Sequence, residues 1–156
     1  MAANEYAFLT EWSYKASIEE VAAILEDVES LSTWWPSVYL KVTVLEPGDG
    51  KGIGKKVDLL TKGYLPYRLR WQFVVTESDS PRGFTLQADG DFVGRGIWSL
   101  RQVGDLAQVT FDWRIVADKP LLKRLSFLMK PVFKWNHHWA MKQGDVALQR
   151  EILRRR

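Results

Sequence analysis

The sequence predicts an α+β fold in which a curled antiparallel sheet of seven strands surrounds one long C-terminal helix. Hydrophobic and polar residues alternate through seven short segments, which is the pattern of strands with one buried face. The connections between the last six segments are short, and short connections favour antiparallel pairing over a parallel sheet. The segment 119–156 has helical periodicity instead. With 156 residues, the chain is predicted to form a single domain, 1–156.

The first predicted elements are a strand and two short helices. Aromatic and polar side chains alternate through 6–16, which predicts the first strand. Ser17 and Glu20 have the spacing of a capping box, so a helix is predicted to begin there. Ser30 is predicted to cap a second helix, which ends before Pro36 because a residue that precedes proline avoids helical geometry.

Six further segments rich in β-branched and aromatic residues are separated by turn residues. They predict strands at 38–46, 55–60, 67–76, 83–88, 92–101 and 107–116. Gly94 and Gly96 interrupt the fifth of these segments, and glycine inside a strand marks a bulge, a bend or a close approach. A bend there curls the sheet, so we expect its apolar face to be concave.

The segment 119–156 is predicted to be one long helix that Pro131 either kinks or divides. At ~100° per residue, one stripe of this helix is apolar and is predicted to cover the concave face of the sheet. The stripe consists of Leu121, Leu125, Leu128, Val132, Trp135, Trp139 and Val146. A second apolar set lies on the far side of the helix and packs on either the first two helices or another subunit. Its members are Met141, Leu148 and Ile152.

The aromatic content predicts a cavity under the long helix. Eight tryptophans, seven phenylalanines and five tyrosines are more large flat side chains than a core of this size needs, and rigid rings can wall a cavity. We therefore expect a cavity for an apolar small molecule. The predicted walls are Trp71, Phe73, Trp98, Phe111 and Trp113, the lid is Trp135 and Trp139, and Tyr67 and Trp35 lie near the entrance.

Two amides of the last helix are the candidate polar anchors for a ligand. Asn136 and Gln143 fall on the predicted apolar stripe, and an amide that faces an apolar interior needs a hydrogen-bond partner. That partner is the ligand, a backbone group or a trapped water. His137 and Tyr67 are the candidate proton carriers if the cavity is catalytic, although no catalytic set is identifiable.

Several kinds of site lack the residues that they require. The chain has no cysteine, and His137 and His138 point about 100° apart on a helix, so we expect no metal and no cofactor. The glycine-rich segment 47–54 joins two strands with no helix after it, which argues against a phosphate loop. No serine has the Gly-x-Ser-x-Gly setting of a hydrolase nucleophile.

Charge is distributed unevenly along the chain. Residues 119–156 contain ten lysines and arginines against two acidic residues, a balance of +8, whereas the preceding residues sum to −5. This basic end either complements the dipole of the last helix or contacts an anionic surface, and no nucleic-acid partner is expected. Without cysteines, a signal peptide or a membrane-spanning run, the protein is expected to be cytoplasmic. The sequence leaves open whether it is a monomer or a homodimer.

A set of local motifs extends along essentially the whole chain. They are Trp34-Trp35-Pro36, Gly63-Tyr64-Leu65-Pro66-Tyr67, Gly90-Asp91 with Gly94 and Gly96-Ile97-Trp98, Asp112-Trp113, and Pro131 followed by Asn136-His137, Met141 and Gly144. Together with the element order, these motifs resemble the START-like, or SRPBCC, superfamily and its bacterial polyketide cyclase/dehydrase-like branch. The resemblance implies a helix-grip fold whose interior holds lipids, sterols, polyketides or similar ligands. It also implies that some members catalyse cyclisation or dehydration there.

These observations support one main hypothesis and two alternatives. We hypothesise that the protein carries or sequesters an apolar small molecule, such as a lipid, a polyketide or another ring-bearing ligand, in the cavity. The first alternative is a cyclase or dehydratase in which His137 or Tyr67 moves a proton in the same cavity. The second alternative is contact of the basic helix with a membrane surface or a nucleic acid.

Overall fold

The computed structural model describes residues 4–65, 67–117 and 120–156. Within these residues one sheet is formed by β1 (Glu5–Lys15), β2 (Tyr39–Glu46), β3 (Lys56–Thr61), β4 (Leu69–Ser78), β5 (Gly83–Gly90), β6 (Phe92–Val103) and β7 (Leu106–Ala117). The helices are α1 (Ile18–Glu26), α2 (Leu31–Trp34) and α3 (Pro120–Arg155), and a 3₁₀ turn (Val28–Ser30) precedes α2. The long helix is continuous through Pro131.

The sheet is antiparallel, and its strands lie in the order β1-β7-β6-β5-β4-β3-β2. The first strand pairs with the last, with Phe8 opposite Trp113 and Trp12 opposite Val109. The other neighbours are consecutive in the chain, as short connections predict. The predicted fold is therefore confirmed, and every strand boundary lies within two residues of its predicted position.

The inner face of the sheet is apolar because buried and exposed side chains alternate along the strands. In β4, Trp71 and Phe73 are buried while Arg70 between Leu69 and Trp71 is exposed. The same alternation in β7 buries Phe111 and leaves the polar side half-buried or exposed. The period of two in the sequence thus identifies the inward residues of these strands correctly.

Gly94 and Gly96 allow close approach between β6 and its neighbour β7. A Cβ atom at Gly94 would overlap the backbone oxygen of Arg114. A Cβ atom at Gly96 would lie 2.9 Å from the Phe111 ring and 3.0 Å from the Trp113 ring. Close approach of the neighbouring strand β7 therefore accounts for glycine at these two positions.

The helix that follows β1 begins as predicted. The Ser17 hydroxyl accepts a hydrogen bond from the Glu20 amide, and the Glu20 carboxylate accepts one from the Ser17 amide, both at 3.1 Å. Ser30 occupies the predicted N-cap position of α2, but its side chain makes no cap hydrogen bond. Ser30 donates its hydroxyl to the Asp27 carbonyl at 2.6 Å instead of capping an amide, because a 3₁₀ turn runs directly into α2.

The buried face of α3 is the one that carries the second apolar set. Leu148 and Ile152 are 0% and 1% exposed, and Met141 is also buried, so this set packs within the chain. Gly144 lies on the same face, and a Cβ atom there would overlap the indole ring of Trp35. The Trp35 ring packs directly against the α3 backbone at Gly144, where there is no Cβ atom. This contact orients the Gly144 face of α3 toward the core.

Much of the α3 stripe that the sequence predicts to be buried faces solvent instead, although Val132 and Trp139 are half-buried. Leu128, Trp135 and Val146 are 67%, 50% and 48% exposed, so the predicted orientation of the helix is wrong. Leu121 and Leu125, which belong to the same predicted stripe, lie outside the described side chains. Even with this apolar outer surface, no helix in the described part of the chain combines the length and hydropathy needed to cross a bilayer.

The C-terminal end of α3 is held to the first helices by ion pairs. Glu151 is 4% exposed, and its carboxylate accepts hydrogen bonds from Arg154 at 2.7 Å and from Arg155 at 2.8 Å. These guanidinium groups, Arg154 first, lower the pKa of Glu151 to about 2. Arg155 also pairs with Asp27 at 3.0 Å, and Arg156 pairs with a glutamate of α1 at 2.9 Å. Part of the basic end therefore has an intramolecular role.

Candidate functional site

A cavity of about 130 Å³ lies between the inner face of the sheet and α3. Strands β4 and β7 form its sheet side, and the chain between β3 and β4 closes one edge. Its aromatic boundary consists of Tyr6, Phe8, Trp35, Tyr39, Tyr67, Trp71, Phe92, Phe111, Trp113 and Phe133. The polar side chains at the boundary are Thr61, Lys62, Asn136 and His137. The space is therefore lined mostly by rings.

Three neighbouring rings form the wall on the sheet side. The Trp113 centroid lies 5.5 Å from those of both Trp71 and Phe111. The indole nitrogen of Trp71 donates a hydrogen bond to the Thr61 hydroxyl at 3.1 Å. Because the one polar atom of this indole already has a partner, Trp71 offers the cavity an apolar face.

The cavity brings together about half of the residues that the sequence predicts for the site. The predicted residues that border it are Trp35, Tyr67, Trp71, Phe111, Trp113, Asn136 and His137. The predicted residues that do not border it are Phe73, Trp98, Trp135, Trp139 and Gln143. The two groups differ in position for identifiable physical reasons.

Phe73 and Trp98 are buried beside the wall and support it from the neighbouring positions. Trp98 stacks on Phe111 with centroids 4.2 Å apart, and Phe73 lies 6.3 Å from Trp71. The period-two pattern shows which face of a strand a side chain is on, but not how far along the strand the cavity extends. It therefore cannot distinguish Phe73 and Trp98 from the rings that border the cavity.

Neither residue of the predicted lid borders the cavity: Trp135 is exposed on the outer side of α3, and Trp139 is half-buried against the core. Trp135 and Trp139 pack against Tyr64, with ring centroids 5.1 Å and 5.7 Å from the tyrosine. Gln143 is half-buried on the same helix and also lies away from the cavity. The orientation of α3 on which the lid was predicted is wrong, so these side chains have no place at the inner boundary.

Trp35 forms an inner boundary of the cavity, where the sequence predicts an entrance position. The indole is 2% exposed, so the entrance position is wrong. Pro36 turns the chain out of α2, as predicted, but the preceding ring points back into the core. There the ring packs against Gly144 of α3, and this contact was not visible in the spacing of either residue.

Asn136 connects α3 to the chain between β3 and β4. Its side-chain oxygen accepts a hydrogen bond from the Leu65 amide at 3.1 Å, and its nitrogen donates to the Tyr67 hydroxyl at 3.4 Å. A Cβ atom at Gly63 would overlap the Asn136 amide, so glycine is required for this contact. The sequence left a ligand, a backbone group or a water as possible partners for Asn136. In the structure, a backbone amide donates to its side-chain oxygen.

The two candidate proton carriers are both neutral at pH 7. Burial lowers the pKa of His137 to about 3, and the neighbouring His138 lowers it further. Its imidazole stacks on Phe8 with centroids 3.9 Å apart, and Nε2 is buried without a hydrogen-bond partner among the described residues. Burial, followed by the nearby Tyr6, raises the pKa of Tyr67 to about 12. Within the described residues, no group of three or more histidines and carboxylates could hold a metal ion.

Sequence reasoning missed five residues that border the cavity from β1 and α3: Tyr6, Phe8, Phe133, Ala140 and Met141. A signal for them existed on both elements. The two aromatic residues of β1 share the face of the other buried rings in that strand. On α3, the boundary residues follow one another at intervals of three, one, three and one positions, which places them on one face. They are Phe133, Asn136, His137, Ala140 and Met141.

The Gly63→Ala substitution is expected to lower the free energy of unfolding by about 1–3 kcal/mol, because it displaces Asn136 and leaves the Leu65 amide without its acceptor. Urea denaturation followed by circular dichroism measures the change. Gly50→Ala is the matched control, since nothing lies within 4 Å of a Cβ atom at that position. Equal stability of the two variants would contradict the assigned contact.

Solved structures share this fold at low sequence identity. TTHA0849 from Thermus thermophilus has a TM-score of 0.79 and 16% identity, over 95% of this chain and 97% of that one. The Zhui aromatase/cyclase from Streptomyces sp. R1128 has a TM-score of 0.72 and 18% identity, over 97% and 95%. A START superfamily protein from Mycobacterium smegmatis has a TM-score of 0.72 and 16% identity, over 97% and 99%. These likenesses establish a START-like fold.

The family assignment comes from the sequence. No curated protein matches the chain. The family model described as polyketide cyclase/dehydrase and lipid transport matches residues 10–151, which is most of the chain. This match confirms the resemblance that the motifs indicate. The chain therefore belongs to the polyketide cyclase/dehydrase and lipid transport family.

Proposed function

We propose that the protein binds an apolar, ring-bearing small molecule in the cavity between the sheet and α3. The observation that supports this most directly is a partly open space of about 130 Å³ bounded by ten aromatic rings. Rings that filled their own interior would leave no such space. Walls made mostly of rings favour apolar guests, because water finds few hydrogen-bond partners against them. Membership of a polyketide cyclase/dehydrase and lipid transport family supports the same proposal.

The volume limits the size of the ligand in this conformation. An engineered apolar cavity of roughly 150 Å³ holds one benzene molecule, whereas pockets for drug-sized ligands enclose roughly 300–1,000 Å³. The cavity therefore accommodates one ring of a ligand. A larger polyketide or lipid requires the chain between β3 and β4, which Asn136 holds to α3, to move outward.

The polar groups at the boundary favour a ligand with a hydroxyl or carbonyl group on its ring. The Tyr67 hydroxyl and the Asn136 amide nitrogen lie 3.4 Å apart, a long hydrogen bond that a ligand oxygen can replace or join. Both side chains are uncharged at pH 7, so they suit a neutral ligand. The desolvation free energy of a charged ligand would be far larger than the stabilisation from hydrogen bonds to these two neutral groups.

The same groups favour binding over catalysis. A cyclase or dehydratase needs an acid or base whose pKa lies near the working pH. Burial holds His137 at a pKa of about 3 and Tyr67 at about 12, far from neutrality on either side. We therefore propose a carrier or sequestering protein that returns its ligand unchanged. Native mass spectrometry of the purified protein, followed by solvent extraction and analysis of the released compound, tests this directly.

The Ala140→Phe substitution is expected to weaken binding of 4-fluorophenol by at least about tenfold, because Ala140 borders the cavity and a phenyl ring there occupies the space of the ligand. ¹⁹F NMR titration measures the dissociation constant. Val146→Phe is the matched control, since Val146 is 48% exposed on the opposite face of α3. Unchanged binding by a folded Ala140→Phe variant would show that 4-fluorophenol does not bind in the cavity.

A further inference from the structure

The outer face of α3 carries a row of exposed apolar side chains. Leu128, Trp135, Val146 and Leu153 are 67%, 50%, 48% and 57% exposed. At ~100° per residue, these four positions fall within about 20° of a single line along the helix. Large exposed hydrophobic residues are ordinary when they are scattered, but a row of them along one helix marks an interaction surface.

Tyr64 widens this row beside the cavity. Its side chain is 64% exposed, and its ring lies 5.1 Å from Trp135 and 5.7 Å from Trp139. Tyrosine and tryptophan combine an apolar body with a polar atom, which suits them to the boundary between water and lipid. We call these three rings together with Leu128 and Val146 the outer patch.

The charges around the outer patch are positive. Between residues 119 and 144 the sequence contains six lysines and arginines and no aspartate or glutamate. Lys134 and Lys142 are exposed on α3, and Lys62 is exposed on the segment that carries Tyr64. Within the described residues, no carboxylate lies within 4.0 Å of these three ammonium groups. These cations, unlike Arg154 and Arg155, are thus available to a partner.

We infer that the outer patch docks the protein on an anionic lipid surface. An interfacial helix inserts an apolar row that includes tryptophan and leucine, while lysines beside the row contact anionic headgroups. A second copy of the chain is a poorer occupant, because pairing this face with itself would bring its unpaired cations together. The inference does not depend on whether the cavity holds a ligand.

Docking in this way would place one edge of the cavity at the lipid. Lys62 and Gly63 border the cavity, and Tyr64, the next residue, belongs to the outer patch. The segment that Asn136 holds to α3 therefore contributes to both surfaces. Docking through Tyr64 and Trp135 would therefore bring this edge of the cavity close to the headgroup region.

Co-sedimentation of the full chain with phosphatidylcholine vesicles, with and without phosphatidylglycerol, tests the inference. Binding is expected to the anionic vesicles, to weaken as salt is added, and to be much lower with phosphatidylcholine alone. Each of Lys134→Gln and Lys142→Gln is expected to weaken the vesicle affinity by about fivefold. Trp135→Ser, which removes an inserting ring, is expected to abolish most of the binding at moderate salt.

The control removes the same charge elsewhere. Lys41→Gln and Arg95→Gln each alter one exposed cation, in β2 and β6 respectively, and each is expected to leave vesicle binding unchanged. Circular dichroism verifies that each variant is folded. Absence of binding to anionic vesicles, or equal loss in the control and the α3 variants, would overturn the inference. So would a dimer in analytical ultracentrifugation that Trp135→Ser dissociates, because a second copy would then cover the patch.

Discussion

Replacing Trp35 by alanine is expected to lower the free energy of unfolding by about 3–5 kcal/mol, the range for removing a large buried ring. Small domains have a total stability of roughly 5–15 kcal/mol, so this single change removes a large part of it. Urea denaturation monitored by circular dichroism gives the difference, provided that the slope of the transition stays constant.

The size of the effect follows from the position of Trp35 between four elements. The indole is 2% exposed and lies 5.6 Å from Trp34, 6.0 Å from Trp12 and 5.0 Å from Tyr39, measured between ring centroids. On its remaining side it packs against the backbone of α3 at Gly144. Alanine would leave a space next to the existing cavity, and close-packed neighbours could collapse into it only partly.

Trp135→Ala is the matched control for this prediction. It removes the same side chain, but Trp135 is 50% exposed on the outer face of α3, so the expected loss of stability is below about 1 kcal/mol. The orientation of α3 predicted from sequence alone, with Trp135 turned inward, would give both substitutions a large cost. A loss at Trp135 equal to that at Trp35 would therefore contradict the packing of this helix.

Local periodicity was sufficient to predict the sheet. A strand has two faces, and Trp71, Phe111 and Trp113 alternate with polar residues that no interior would accept. The order of β2 to β7 followed from short connections, since consecutive antiparallel strands have few other ways to pair, whereas the pairing of β1 with β7 does not follow from them. Both inferences depend on residues that are close in sequence, which is why they could be made without a structure.

The rotation of α3 could not be derived from its own periodicity. The helix is apolar on two sides, so the spacing of its apolar residues does not single out one buried face. The deciding contact, Gly144 against Trp35, joins residues more than one hundred positions apart. One local signal did point the right way, because Lys142 lies on the stripe between Trp135 and Val146, and an unpaired ammonium group is rarely buried.

The sequence predicted cavity-lining rings of the sheet but not the apolar cavity-lining residues of α3. Rings from β4 and β7 were identified, whereas Phe133 and Met141 of α3 were assigned to no wall because the helix was turned the wrong way. Asn136 was identified as an amide that needs a partner, but its actual partner, the Leu65 amide, lies in a segment without periodicity. Contacts between irregular segments and helices depend on tertiary structure that spacing does not encode.

A second large effect is expected in the pH dependence of stability. The pKa of His137 is about 3 in the folded protein, against roughly 6.5 in an unfolded chain. Between these values the unfolded chain binds a proton that the folded protein does not bind. The stabilisation is therefore complete above about pH 6.5 and is lost as the pH falls toward 3. Linkage gives a loss of about 2 kcal/mol from this one group between pH 7 and pH 5.

His137→Phe is expected to abolish this loss and to make the protein more stable than the wild type at pH 5. Phenylalanine preserves the stacking on Phe8 and removes Nε2, which is buried without a partner among the described residues. Urea denaturation at several pH values between 7 and 4.5 measures the difference. Glu151, with a pKa of about 2, loses its contribution only below about pH 4.5, so it does not interfere in this window.

The exposed neighbour provides the control for the pH experiment. His138→Phe is expected to leave most of the acid destabilisation in place, because burial of His137 is the first cause of its lowered pKa and His138 only the second. If His137→Phe instead showed the same pH dependence as the wild type, His137 would be protonated in the folded protein near neutrality. A group that exchanges a proton at that pH inside the cavity is what a cyclase or dehydratase requires, so that result would favour catalysis over binding.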